Sequence, residues 1–311
     1  MLAIGLFAVL PMLAFSLLAG RSLLNQQQTA LHVELQQQTD FAARELAREV
    51  RVVFATLESL ATSDAALRGD YAALHAHAGR IVAVSPRIGA ITAVDAAGDR
   101  RFSTLAPFAV LLPPTSLGEF DKRVLATGTP QISPLATGSI SGKKLVSFSV
   151  PVKEGNKIAM ILRATMWSDA IGEVVHEQPL PDTWIAAVVD QNMIQIARSR
   201  DAARFVGLPA TDATQAAIRT GLTTPYAAVT RDGVAMTASV ARVAGTEWRV
   251  VIAAPSTSLD TEVWHAFQTT LWIGLFCAML SALGAWYLAR ALQNQVQIAA
   301  RTGTSDDKDR E

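Results

Sequence analysis

The residues best suited to chemistry lie on two neighbouring segments with alternating patterns. In 145–152, Val146, Phe148, Val150 and Val152 alternate with Ser147 and Ser149. In 158–165, Ile158, Met160 and Leu162 oppose Ala159, Ile161, Arg163 and Thr165. Side-chain direction alternates with period two in a strand, so one face is apolar and the other carries hydroxyls and an arginine. A guanidinium offers a rigid fork of donors, and beside hydroxyls it suits an anion such as a carboxylate. Arg101, from an adjacent hairpin, and Arg123, from a short helix, are placed to close such a site. Arg101, Arg123, Ser147, Ser149, Arg163 and Thr165 are therefore the candidate ligand-binding residues. The alternative is that this face meets solvent.

Signals for other chemistry are weak. The histidines are His32, His75, His77, His176 and His265. His75 and His77 are two apart on a predicted helix and do not share a face, so no metal site is expected. The segment GSISGKK at 138–144 is one residue short of a phosphate-binding loop and lacks its Ser/Thr, and reads as a loop between strands. No Ser-His-Asp or Cys-His arrangement stands out, and no cofactor is expected. Cys277 is the one cysteine, so no intrachain disulfide forms, and its apolar surroundings disfavour a nucleophilic role. The 27 basic residues balance the 27 acidic ones, which disfavours a nucleic-acid partner.

The elements that position the candidate face fit a chain of 311 residues, enough for about two domains. Charged residues make up 17%, below the roughly 25% usual for soluble domains. Two uncharged apolar runs, 1–20 and 269–289, are each long enough to span a bilayer as a helix. Trp272, Trp286 and Tyr287 sit near the ends of the second run, where amphipathic rings anchor at headgroup depth. Arg290, Arg301 and Lys308 follow it and place both termini in the cytoplasm. Gly274, Ala278, Ser281 and Ala285 form a stripe of small residues that predicts packing of this span against another.

Between the runs, 22–62 has neither Pro nor Gly. Leu31, Leu35, Ala42, Leu46, Val50, Val53, Leu57 and Leu60 recur at helical, near-heptad spacing. Such a helix reaches about 60 Å, as a dimer seam near the membrane and a packing surface around Val50 to Leu60. A second helix is expected over 71–84, and strands over 88–94 and 101–104. The hairpin 145–152/158–165 turns at Gly155. A smaller unit repeats the pattern, with strands at 184–189, 194–198, 226–230, 234–243 and 248–253. The linker is Gln178-Pro179-Leu180-Pro181-Asp182.

These segments resemble the double Cache sensor family. The resemblance rests on the long helix 22–62, ATSDAALRGDYAALHAH at 61–77, VDAAGDRRFST at 94–104 and SFSVPVKEGNKIAMIL at 147–162. It also rests on VVDQNMIQIARSRDAARFVGLPA at 188–210 and EWRVVIAAP at 247–255. It covers about residues 1–290 and implies tandem PAS-like domains outside the bacterial membrane, serving histidine kinases, diguanylate cyclases or chemoreceptors. FDKRVLATG at 120–128 carries Arg123 without the aromatic pair of the amino-acid-binding subgroup, which points away from an amino-acid ligand. No output domain is expected in the 21 residues after Arg290.

The expected fold class is α+β: a long N-terminal helix, then two PAS-like antiparallel-sheet domains, flanked by two transmembrane helices. The expected division is 1–20, first span; 21–62, stalk helix; 63–178, membrane-distal domain; 183–256, membrane-proximal domain; 257–290, juxtamembrane helix and second span; 291–311, cytoplasmic tail. The expected function is non-catalytic sensing of a small molecule, a carboxylate or other anion bound in the distal domain. The alternatives are the input half of a histidine kinase or diguanylate cyclase whose output domain is missing or supplied by a partner, and a non-catalytic structural or interaction module at the membrane. The expected location is the bacterial inner membrane with two spans. A homodimer through the stalk and transmembrane helices is expected.

Overall fold

The computed structural model describes residues 2–113, 115, 117–155, 157–177, 180–256 and scattered positions between 268 and 290. Residues 32–256 form one compact unit, and residues 1–31 with 257–311 another. Helix α1, Leu2–Ala61, has 60 residues. Leu35, Ala42, Leu46, Val50, Val53, Leu57 and Leu60 are all buried, as the spacing predicts. Thr39 is buried in the same stripe and satisfies its hydroxyl by donating to the Leu35 carbonyl at 2.6 Å.

Among the described residues no helix is long and apolar enough to cross a membrane. This corrects the flanking transmembrane helices of the expected fold class, the two-span inner-membrane placement and dimerisation through membrane helices. From Asn25 onward α1 carries many amide and charged side chains, such as Gln26 to Gln28, Glu34, Gln36 to Gln38 and Asp40. A span needs a continuous apolar surface. Of the second apolar run only isolated positions are described. Gly274, Ala278, Ser281 and Ala285 lie outside the described residues, as does the tail 291–311.

After α1 come two short helices, α2 (Asp64–Leu67) and α3 (Tyr71–Val84). Asp70 caps α3 by accepting the Ala73 amide at 3.0 Å. The chain then lays down β1 (Ala90–Asp95), β2 (Arg100–Ser103), α4 (Glu119–Thr127), β3 (Gln131–Ile132), β4 (Ala136–Thr137), β5 (Lys144–Glu154) and β6 (Lys157–Trp167). The first sheet is antiparallel with order β2-β1-β6-β5-β3, and β4 also pairs with β5. Its long hairpin, β5 and β6, turns at Gly155, whose φ of +58° suits a residue without a Cβ.

Helix α5 (Ser168–His176) leads to β7 (Ile185–Val189), β8 (Gln195–Arg198), α6 (Ala202–Phe205), α7 (Asp212–Thr220), β9 (Tyr226–Val229), β10 (Ala235–Arg242) and β11 (Arg249–Pro255). The second sheet is antiparallel with order β8-β7-β11-β10-β9. Both sheets open on the same device. Asp95 Oδ1 accepts the amides of Ala97 and Asp99 at 3.0 and 2.8 Å, and Asp190 Oδ1 accepts those of Asn192 and Ile194, both at 2.9 Å. Each aspartate closes its hairpin with its own side chain.

The apolar face of β5, with Val146, Phe148, Val150 and Val152, is fully buried. Phe148 meets Phe54 of α1 edge-on at 5.3 Å and Trp248, just before β11, at 5.9 Å. One ring thus ties the long helix, the first sheet and the second sheet into a single core. Aromatic pairs in this geometry add to the stabilisation from burial alone.

Candidate ligand site

The opposite face of the first sheet carries a polar row running straight across the strands. Ser103 pairs with Thr92, Thr92 with Arg163, Arg163 with Ser149 and Ser149 with Gln131. Directly opposed residues share a face and lie close enough for side chains to interact. The Thr92 hydroxyl lies 3.1 Å from that of Ser103. Rows of apolar residues, such as Ile91, Ala164, Phe148 and Ile132, alternate with it and face the core.

Helix α4 covers the middle of the row. Gly118 begins it, and Asp121, at the third helical position, accepts the Gly118 amide at 2.9 Å. That bond turns the carboxylate inward. Asp121 is fully buried and holds Arg163 by two parallel bonds, Nε to Oδ1 at 3.0 Å and Nη2 to Oδ2 at 2.6 Å. Ser149 donates its hydroxyl to Asp121 Oδ1 at 3.3 Å, and Arg163 Nη1 reaches the Thr115 hydroxyl at 3.4 Å. The Phe120 ring lies 5.7 Å from the guanidinium carbon.

The electrostatics are set by burial. Desolvation pushes the Asp121 carboxyl up from its usual range, against the opposing pull of Arg163, the Gly118 amide and Ser149. Desolvation lowers Arg163, and Asp121 pulls it back. Arg100 is also lowered, by burial first and then by the positive charge of Arg163. Its Nη1 donates to the Pro113 carbonyl at 2.8 Å and its Nη2 to the Ser139 hydroxyl at 3.1 Å. Its Nε is buried without a partner. Arg100 and Arg163 are thus electrostatic neighbours, and among the described residues the ion pair at this site is that of Arg163 with Asp121.

The six residues expected from sequence fall in different places. Arg163 and Ser149 form the centre. Ser147 and Thr165 pair directly across the hairpin one row away. The Ser147 amide donates to the Ser133 hydroxyl at 2.9 Å, and the Thr165 carbonyl accepts the Gly89 amide at 2.8 Å. Arg123 lies exposed on α4, away from the buried side of Asp121 and Val124. Arg101 turns to the start of its own hairpin, where it pairs with Asp95 and lies over the Tyr71 ring at 5.8 Å. Arg100 takes the inward place. The cause is a bulge at Ala93 and Val94, which pair with Phe102 and Arg100 and leave Arg101 as the extra residue. A bulge shifts the alternation by one, so parity counted from the sequence points to the wrong arginine.

Sequence reasoning also missed Asp121. Its signal was the spacing Gly118-x-x-Asp121, that of a helix-capping carboxylate. Among the described residues no group of His, Cys, Asp and Glu is arranged to hold a metal ion. His75 instead packs between Phe102 and Phe108, at 5.4 and 5.7 Å.

No family model and no curated protein matches the sequence. Solved structures do resemble it. The ligand-binding domain of the Pseudomonas fluorescens chemoreceptor CtaA, in complex with L-isoleucine, is 13% identical at a TM-score of 0.59, over 76% of this chain and 98% of that one. That of the Pseudomonas aeruginosa PAO1 amino acid chemoreceptor PctB, in complex with L-Arg, is 10% identical at 0.57, over 73% and 96%. The sensory domain of the Campylobacter jejuni chemoreceptor Tlp3, with isoleucine bound, is 9% identical at 0.55, over 76% and 97%. At these identities the likeness is one of fold, and the chain has the double Cache, PAS-like fold of extracytoplasmic sensor domains.

Proposed function

We propose that the chain is a non-catalytic sensor that binds a small anion, a carboxylate in the first instance, over the polar row of its first sheet. The observation that carries the reading is Arg100, which feels the positive charge of Arg163, has a buried Nε without a partner and makes no ion pair among the described residues, while Asp121 is taken up by Arg163. Two neighbouring guanidinium groups with one carboxylate between them are stabilised by a further negative charge. Arg100 Nε and the hydroxyls of Thr92, Thr115 and Ser149 supply additional polar contacts. On this reading 63–178 is the ligand-binding domain and 183–256 the second, smaller domain, with α1 packed against the apolar back of the first sheet through Phe54 and Phe148. Binding biases the packing of α1, and the signal passes on to a kinase, cyclase or receptor module. A homodimer through α1 fits the exposure of Val33, Phe41 and Val52 along it.

The test is a thermal-unfolding screen of the full chain against acetate, lactate, succinate and malate, each with its neutral amide as control. A ligand that binds the folded state raises the midpoint in proportion to its occupancy. At least one acid is expected to stabilise the chain where its amide does not. Equal effects of acids and amides would remove the charge-based reading.

A further inference from the structure

The second sheet holds a cavity of about 60 Å³ of its own, on a face with no part in the site above. Its floor includes short side chains on the central strands, beside larger ones such as Met236 and Val251. Ala187 of β7 pairs with Val251 of β11, and Ala238 of β10 pairs with Ala253 of β11. Alanines at the centre of a sheet leave room that larger residues would fill. Thr211 and Thr214, at the start of α7, line the cavity from above, and the Thr214 hydroxyl is held 3.1 Å from Tyr226 Oη.

Two arginines line this cavity, Arg198 and Arg231, and no acidic residue does. Arg198 lies with its guanidinium 4.4 Å from the Phe205 ring centre. Its hydrogen bonds go to neutral acceptors, Nε to the Arg200 carbonyl at 2.9 Å and Nη1 to Gln195 Oε1 at 3.2 Å. Among the described residues no ion pair engages it. Arg231 likewise donates to a neutral group, the Pro209 carbonyl, at 2.7 Å. The acids near Arg198 are Asp201 and Asp232, and Asp232 is engaged by Arg204 at 2.7 Å. Burial lowers Arg198 while those two acids favour its charge. The contrast with Arg163 is direct, since that arginine carries its own buried carboxylate. Buried charges are ordinarily paired.

We propose that the second sheet carries an independent binding site for a small aliphatic monocarboxylate, with Arg198 as the charged donor, Gln195 and Thr214 beside it, and the alanine floor receiving the alkyl end. The volume, about 60 Å³, limits the occupant to a few heavy atoms. Arg198 above an apolar floor selects a carboxylate with a short alkyl tail, and no acidic residue of the lining would receive the ammonium of a zwitterion.

Calorimetric titration of the full chain with propionate tests this, with propionamide as the neutral isostere and hexanoate as the oversized acid. Propionate is expected to bind saturably, and propionamide and hexanoate at least about tenfold more weakly. Arg198→Gln is expected to weaken propionate at least about tenfold, and Ala238→Leu, which fills the floor, to abolish it. Arg123→Gln, at an exposed arginine of α4 outside both sites, is expected to leave it unchanged. Absence of propionate binding, equal binding of propionamide, or retention of affinity in Ala238→Leu would overturn the proposal. Should Arg198→Gln fail to fold, the propionamide comparison and Ala238→Leu decide alone.

Discussion

Asp121 and Arg163 meet through both carboxylate oxygens, deep enough that the aspartate is fully buried. The pair joins α4 to the middle of the first sheet, so the helix covering the proposed ligand site is anchored by an arginine of that sheet. Removing one partner of such a pair leaves an uncompensated buried charge, whereas replacing both with apolar groups of like size is far better tolerated. Asp121→Ala and Arg163→Ala are each expected to destabilise the chain by about 3–5 kcal/mol. The double variant Asp121→Leu/Arg163→Met is expected to lose much less than the sum. Urea unfolding of the three variants checks this, and additive losses would mean that the two side chains act separately.

Asp95 gives a pH dependence with a definite sign. Burial raises its carboxyl, but the Asp99 amide, Arg101 and the Ala97 amide together outweigh it and hold it below the usual range. A depressed carboxyl stabilises the fold above its unfolded pKa of about 3.9, and that contribution disappears as pH falls through the lower folded value. The unfolding midpoint of the wild type should therefore exceed that of Asp95→Asn at neutral pH. The gap should close only below about pH 4. A gap that stayed constant down to pH 2 would assign the effect to shape and not to charge.

Phe148 touches both Phe54 and Trp248, so one truncation opens the core where the helix and the two sheets meet. Phe148→Ala is expected to cost about 3–5 kcal/mol. Denaturant unfolding reads this directly, and a loss under about 1 kcal/mol would mean that the surrounding groups collapse into the space.

Gly89 lies against the Trp167 indole so closely that an added Cβ would sit 2.0 Å from Nε1. Gly89→Ala must displace that ring, at the start of α5, and is expected to cost about 1–3 kcal/mol. Unfolding of this variant together with Trp167→Ala is the check. The glycine change should be nearly harmless once the indole is gone.

Much of the frame was legible in the sequence because period and turn chemistry are local. The stripe from Leu35 to Leu60 named the buried side of α1, and the alternation of Val146, Phe148 and Val150 named the core face of β5. What was not legible depended on three-dimensional context. A single bulge moved Arg101 out and Arg100 in. Asp121 reads as an ordinary helix-start acid until the fold buries it beneath α4. Helix α7, which lines the second cavity, has only nine residues and little apolar content to mark its period. The apolar runs were read by hydropathy alone, and the described helices do not include a membrane-crossing one.

The central claim is that Arg100 and Arg163 together recruit an anion to the first sheet. Its most direct test is calorimetric titration of the best-stabilising carboxylate into the chain carrying Arg198→Gln, with and without Arg100→Gln, below both unfolding midpoints. The account predicts saturable binding in the first protein and at least about a tenfold loss, roughly 1.4 kcal/mol, in the second. Equal affinity in the two proteins would contradict it.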